Sequence, residues 1–311
     1  MGLDGPGARE GGGEGSPSRQ RGRFRTTYTL DCVRPVTTRW LLRFGYDGTS
    51  FHGWARQPGL RTVEGEILNG LIRRGVPSST EGFRIEVASR TDRGVSARSN
   101  ALTLTSSLDA RALLRALNGM CPQIFFTAAS EVPDGFRVRR ATRRVYRYFE
   151  PTPPSDRVRW ETAAACFTGR VDARSFGRAL PLETPQWRTV ESVRVSSARD
   201  RLVIEVCAPS FVWGMVRKIV AALRAVDRGQ LTTDQLSRAV SGRERLTLPL
   251  AEPEALVLWE VEYPLEWQYL WTGPNRHQAR AWELAVAEAR NRQRVLGAVA
   301  RGWTRREVRV D

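Results

Sequence analysis

The chain has 311 residues, 49 of them basic and 33 acidic, for a formal charge of +16, and every basic residue except Lys218 is arginine. Its length, at roughly 100–200 residues per domain, points to two domains, and 41% apolar content with ten Trp excludes a wholly disordered chain. No run approaches the roughly 18 consecutive apolar residues of a membrane span, the Gly- and Arg-rich start lacks a secretory apolar core, and the charge points to a polyanion, with nucleic acid ahead of membrane.

Seven of the first fifteen residues are glycine, and Ser16, Pro17, Ser18 and Arg19 follow, which is the composition of a flexible tail over 1–36. From Trp40 the pattern changes. Trp40, Leu42, Phe44 and Tyr46 alternate and predict a strand. After a Gly/Pro-rich loop, Val63, Ile67 and Leu71 recur at helical spacing, with Thr62 as N-cap. Ile85 and Val87, then Leu102 and Leu104, predict two strands. Asp109 caps a helix carrying Leu113, Leu114 and Leu117, and a strand follows over 124–131. This order, β-α-β-β-α-β, is ferredoxin-like.

The second half repeats it. A strand is predicted over 143–150, with Arg144, Tyr146 and Tyr148 on one face. Helical segments come at 156–166 and 172–180, and strands at 188–197 and 201–207. A long helix spans 211–227, with Val216, Ile219, Val220 and Leu223 apolar and Gly229 past its end. A short helix at 234–241 and a strand at 255–263 close the set. The fold class is therefore α/β (α+β): two ferredoxin-like, RRM-like domains with mainly antiparallel sheets, over 37–135 and 136–265. The remaining segment, 266–311, is an Arg-rich helical extension containing Trp282, Leu284, Val295 and Leu296. It reads either as an amphipathic helix packed on the body with solvated arginines or as an RNA-contacting arm. The tail carries +2 and the extension +4, so most of the charge excess belongs to the two domains.

Some chemistries are excluded early. Cys32, Cys121, Cys166 and Cys207 form no CxxC pair, so a zinc ribbon or redox motif has no support. His52 and His277 are the only histidines, and no His-x-Glu signature of a zinc deaminase or phosphate-binding GxxxxGK[ST] loop occurs. Catalysis is left to Asp, Glu, Tyr or Arg.

Three segments remain. In Ser89-Arg90-Thr91-Asp92-Arg93-Gly94-Val95-Ser96-Ala97 one carboxylate stands among Arg90, Arg93 and Arg98, which favours its charged form. Asp92 is then either a nucleophile toward a sugar or base carbon or a cap on the turn before Gly94. Next, Arg137, Arg139, Arg140, Arg143, Arg144 and Arg147 crowd a stretch interleaved with Phe136, Tyr146, Tyr148 and Phe149. It reads as an RNA-binding face that pairs phosphates and stacks bases, or as an ordinary basic strand. Finally, Arg217 and Lys218 interrupt a nearly apolar helix. Arg217 is either on its wet side or the partner of a buried carboxylate such as Asp92.

These segments fall into an ordered set: Tyr46-Asp47-Gly48-Thr49-Ser50-Phe51-His52-Gly53-Trp54 with Gln57-Pro58 and Thr62-Val63; Arg90-Thr91-Asp92 with Gly94-Val95 and Ala97; Tyr146-Arg147-Tyr148; Arg188-Thr189-Val190; and Phe211-Val212 with Met215-Val216-Arg217 and Ile219-Val220. Together, across residues 40–263, they resemble the tRNA pseudouridine synthase A family. Departures are Ser89 in place of the usual Gly, Arg93 in place of a small residue, Ser96 in place of His, and Trp213-Gly214 and Ala221. The resemblance implies an isomerase that converts uridine to pseudouridine at positions 38–40 of the tRNA anticodon stem-loop, or a subset of them. It also implies an active-site cleft between the two domains, with no cofactor and no metal. By the same resemblance, Asp92 is the catalytic aspartate, Tyr146 stacks on the target base, and Arg217 pairs with the aspartate. Arg90 holds the nucleotide out of its stack and Leu256 lines the pocket. The implied assembly is a cytoplasmic homodimer with tRNA across both subunits. A non-catalytic RNA-binding protein is the alternative. A metal-dependent nuclease would need further carboxylates near Asp92, which the local sequence lacks.

Overall fold

Residues 37–76, 85–151, 155–178, 186–198, 201–271 and 273–304 are described by a computed structural model of the chain. The tail predicted over 1–36 and Cys32 lie outside them. The first half runs β1 (Thr38–Tyr46), α1 (Val63–Arg73), β2 (Glu86–Val87), β3 (Ser96–Ser106), α2 (Ala110–Met120) and β4 (Ile124–Glu131). The second runs β5 (Arg143–Phe149), α3 (Arg157–Ala165), β6 (Gly169–Asp172), β7 (Trp187–Val190), β8 (Ser192–Ala198), β9 (Arg201–Ala208), α4 (Met215–Asp227), α5 (Thr233–Val240) and β10 (Leu256–Glu262). β11 (Gln268–Tyr269) and α6 (Arg276–Thr304) follow.

Local chemistry sets these boundaries. The Thr62 hydroxyl accepts from Gly65 N–H at 3.3 Å and the Asp109 carboxylate from Ala112 N–H at 2.8 Å, so α1 and α2 start at the predicted caps. Period-two alternation places Phe44 against Tyr46, Trp54 and Phe126 in one aromatic cluster.

One sheet has the order β11-β4-β1-β3-β10-β5-β9-β8, with β2 on β3. Within it, β4-β1-β3-β2 and β10-β5-β9-β8 are one ferredoxin-like order used twice, as the repeated pattern predicts. The halves join where β3 and β10 run parallel, Ser96 opposite Val257 and Ala97 opposite Leu258. All other pairings in this sheet are antiparallel. Both halves thus contribute to one sheet.

Three predicted elements change. The helix expected over 172–180 is a turn through its described part. The Asp172 carboxylate accepts from the backbone N–H groups of Arg174 (3.1 Å) and Gln186 (3.3 Å), an alternative to helical bonding. The strand expected over 188–197 is two strands. β7 pairs with β6 in a separate ribbon, and β8 pairs with β9. The helix expected from residue 211 begins at Met215, because Gly214 adopts φ +77°, which a right-handed helix cannot continue.

The C-terminal helix exists, and its first two turns pack on the body. The buried Gln278 amide donates to Asn118 Oδ1 (3.0 Å) and the Ile124 carbonyl (3.2 Å), and Trp282 meets Phe125 edge-on at 5.6 Å.

Candidate active site

Asp92 stands in the loop between β2 and β3, and the first motif holds that loop. Tyr46, at the end of β1, shares a hydrogen bond of 2.7 Å between its hydroxyl and Thr91 Oγ1. Trp54 N–H donates to the Thr91 carbonyl at 3.1 Å, and Gly48 N–H to Ser96 Oγ at 3.0 Å. Gly53 has φ +92°, and a Cβ there would come within 3.0 Å of the Thr91 carbonyl. Only glycine lets the two loops close to this distance without strain.

From the other half, α4 supplies the partner. Arg217 Nη1 donates to Asp92 Oδ2 at 3.0 Å, while its Nε donates to the Ala251 carbonyl at 2.6 Å. Trp213 Nε1 donates to Asp92 Oδ1 at 2.7 Å. Both carboxylate oxygens are thus held from one end of one helix, and the side chain stays partly open, at 27% exposure.

The aspartate opens onto a cavity of about 1100 Å³, whose wall includes Arg90, Arg93, Tyr146, Arg178, Phe211 and Leu256. Tyr146 is buried, and its ring meets Phe211 edge-on at 5.3 Å. Burial pushes its phenol above the ordinary range, against a hydrogen bond to Ser89 and the charge of Arg144, so it keeps its proton at neutral pH. Leu256, at the start of β10, is buried on the same wall.

The arginines divide. Arg90 and Arg93 are exposed on the cavity wall. Arg98 does not line this cavity: it lies 4.6 Å over the ring of Trp259, which also carries Arg147 at 4.0 Å. Arg147 pairs with Glu205 at 2.8 Å, and Arg143 with Glu191 at 2.9 Å. Arg144 is buried and donates to Ser89 Oγ and to the carbonyls of Ala88, Arg139 and Pro209, so it ties loops together. Arg137, Arg139 and Arg140 are exposed, and Arg139 lines the cavity. The six arginines therefore do not form one face with Tyr146. Strand alternation puts Arg143 and Arg147 on the side opposite Arg144, Tyr146 and Tyr148.

The sequence pattern offered no sign of Trp213 as a ligand of Asp92 or of Arg178 behind it. The first depends on the turn at Gly214, and the second lies in a segment that reads as helix.

Comparison with known proteins gives the family. A family model described as tRNA pseudouridine synthase matches residues 163–264. A tRNA pseudouridine synthase A of Thermococcus kodakarensis is 41% identical over 225 residues, covering 72% of this chain and 84% of the relative. The one of Thermococcus gammatolerans is 37% identical over 225 residues, with the same coverage. That of Pyrococcus abyssi is 34% identical over 260 residues, covering 82% of this chain and 94% of the relative.

Proposed function

The chain belongs to the tRNA pseudouridine synthase A family, whose members isomerise uridine to pseudouridine in tRNA, and from that premise we propose that it performs this reaction with Asp92 as its nucleophile. The observation that carries the reading is a partly open carboxylate with both oxygens hydrogen-bonded, facing a large cavity with arginines at its rim. Isomerisation breaks the bond between C1′ and N1, joins C1′ to C5, and exchanges a proton at C5 for one at N1. No atom is gained or lost, so the chemistry calls for a positioned nucleophile rather than a co-reagent.

The remaining roles follow from place. A stem uridine must leave its stack to reach Asp92, at a cost of a few kcal/mol. Arg90, Arg93 and Arg139 offset this by pairing phosphates, without reading sequence. Tyr146, neutral and edge-locked by Phe211, stacks on the extruded base, and Leu256 supports its apolar side. Arg217 keeps Asp92 oriented. The target is the anticodon stem-loop, at positions 38–40 or a subset, and the working form is a cytoplasmic homodimer bound to tRNA. Sedimentation at the mass of one chain, or activity absent from the cytosolic fraction, would refute those last two points.

The decisive experiment is Asp92→Ala assayed on tRNA. Pseudouridine formation is expected to fall below detection, by at least about 10⁴-fold, while tRNA affinity stays within about threefold, because phosphate contacts dominate it. Product from the variant rules out the nucleophile. A wild-type chain that binds tRNA and makes none favours a non-catalytic RNA-binding protein.

A further inference from the structure

We propose that Trp213 is a positioning residue for Asp92: its indole N–H fixes the carboxylate plane and so sets the line along which the aspartate meets the target nucleoside. The proposal rests on Asp92 being the nucleophile. A carboxylate held at one oxygen can still swivel about its Cβ–Cγ bond. Here Oδ1 takes Trp213 at 2.7 Å and Oδ2 takes Arg217 at 3.0 Å, which removes that freedom.

The backbone aims both donors. Gly214, at φ +77°, turns the chain into α4, so that Trp213 and Arg217, four residues apart, face the same carboxylate. A Cβ at position 214 would also come within 2.9 Å of Leu250 Cδ2, which would have to shift, and a φ of +77° is one that residues with a Cβ rarely adopt.

The indole is also held from behind, although it is 51% exposed. The Arg178 guanidinium lies 4.3 Å over its ring, and Arg178 N–H donates to the Trp213 carbonyl at 2.8 Å. The turn carrying Arg178 is pinned in its turn by Lys218, the only lysine of the chain, whose ammonium donates to the carbonyls of Gly177 (2.7 Å) and Ser175 (3.4 Å). A half-exposed indole that only filled space would need none of these supports. The indole N–H is a donor and nothing else, and a length of 2.7 Å to an anionic oxygen is that of a charge-assisted bond.

The test is single-turnover pseudouridine formation at saturating tRNA with the full chain, together with KM for tRNA. Trp213→Phe keeps a ring under Arg178 and removes the donor. Its rate is expected to fall roughly tenfold, the lower end for a hydrogen bond to a charged group, with KM within about twofold and an unchanged Tm. The isostere 3-benzothienylalanine at position 213, with sulfur in place of N–H, is expected to show the same loss. A wild-type rate in either variant overturns the proposal, as does a loss confined to KM, which would make Trp213 an RNA-stacking residue instead. Asp92→Asn in the same assay separates the two readings. If it turns over, the nucleophile reading fails. If it is silent while both position-213 variants are fully active, only the inference about Trp213 fails.

Discussion

Helix α4 carries two arginines seven residues apart, on one face, and each meets a carboxylate. Arg217 meets Asp92, which is 27% exposed and opens onto the cavity. Arg224 meets Glu150, which is 2% exposed, at 2.9 Å, and also Glu252 at 2.7 Å and the Tyr148 hydroxyl at 3.0 Å. The Tyr148 hydroxyl itself donates to Glu252 at 2.9 Å. The two pairs share a helix and a chemistry, yet differ in access. Around Arg224 the acceptors are shared among protein groups, and the pair joins β5, α4 and the segment before β10. Around Arg217 one side of the carboxylate is left for a substrate. Activity and stability should therefore separate cleanly between the two positions.

Arg217→Met tests the first half of that contrast. Removing one fixed donor from a reacting anion costs about 10²–10³ in rate. The expected result is that loss in single-turnover pseudouridine formation, with a change in unfolding free energy under about 1 kcal/mol, as for partly exposed ion pairs. An active variant would show that Trp213 and the loop orient Asp92 without the arginine.

Arg224→Met tests the second half. Breaking a buried pair and leaving the carboxylate in place costs about 3–5 kcal/mol, so Tm should drop by roughly 6–15 °C. The rate per folded molecule should stay within about twofold of wild type, measured below the new Tm. A large loss of rate in the folded variant would mean that the two ends of α4 are coupled.

Much of this was legible in the chain. The alternation of Leu42, Phe44 and Tyr46 and the caps Thr62 and Asp109 are local signals, and the elements they predict formed as expected. Arg217 stood out because an arginine inside an apolar helix needs an anion, and Asp92 was a candidate. What was not legible depends on tertiary geometry. Arg98 looks close to Asp92 along the chain, but pleating of β3 sends it to Trp259 on the far side. Arg144 looks like a phosphate contact until the loops carrying Ala88 and Pro209 close around it. The turn after β6 reads as helix because side-chain capping by Asp172 has no periodic signature. Trp213 reads as the first turn of a helix, and only the positive φ of Gly214 turns it toward the aspartate.

The smallest expected effect lies at the rim of the Arg224 cluster and is read through pH. A hydrogen bond from its own backbone N–H holds the Glu252 carboxyl down to about 2 against the opposing effect of burial, with hydrogen bonds from Arg224 and Tyr148 adding to it; its ordinary value is 4.5. A carboxyl whose value is lower in the folded chain stabilises the fold fully above its unfolded value. That contribution is lost as pH falls from about 4.5 through about 2. Glu252 is 60% exposed, so solvent screens its pairing with Arg224 and the effect should be well below that of Arg224→Met. Glu252→Gln keeps an acceptor for Tyr148 and removes the titration. The acid limb of stability, followed as the urea midpoint from pH 6 to pH 2, should become shallower in the variant, while the neutral-pH midpoint moves little. The limb should not vanish. Burial works against Asp172 and Asp227 too, but hydrogen bonds from Arg174 and Ser155 prevail and keep both below the usual carboxylate range. An acid limb identical to wild type would place Glu252 outside the cluster in solution and leave Arg224 bound to Glu150 and Tyr148 alone.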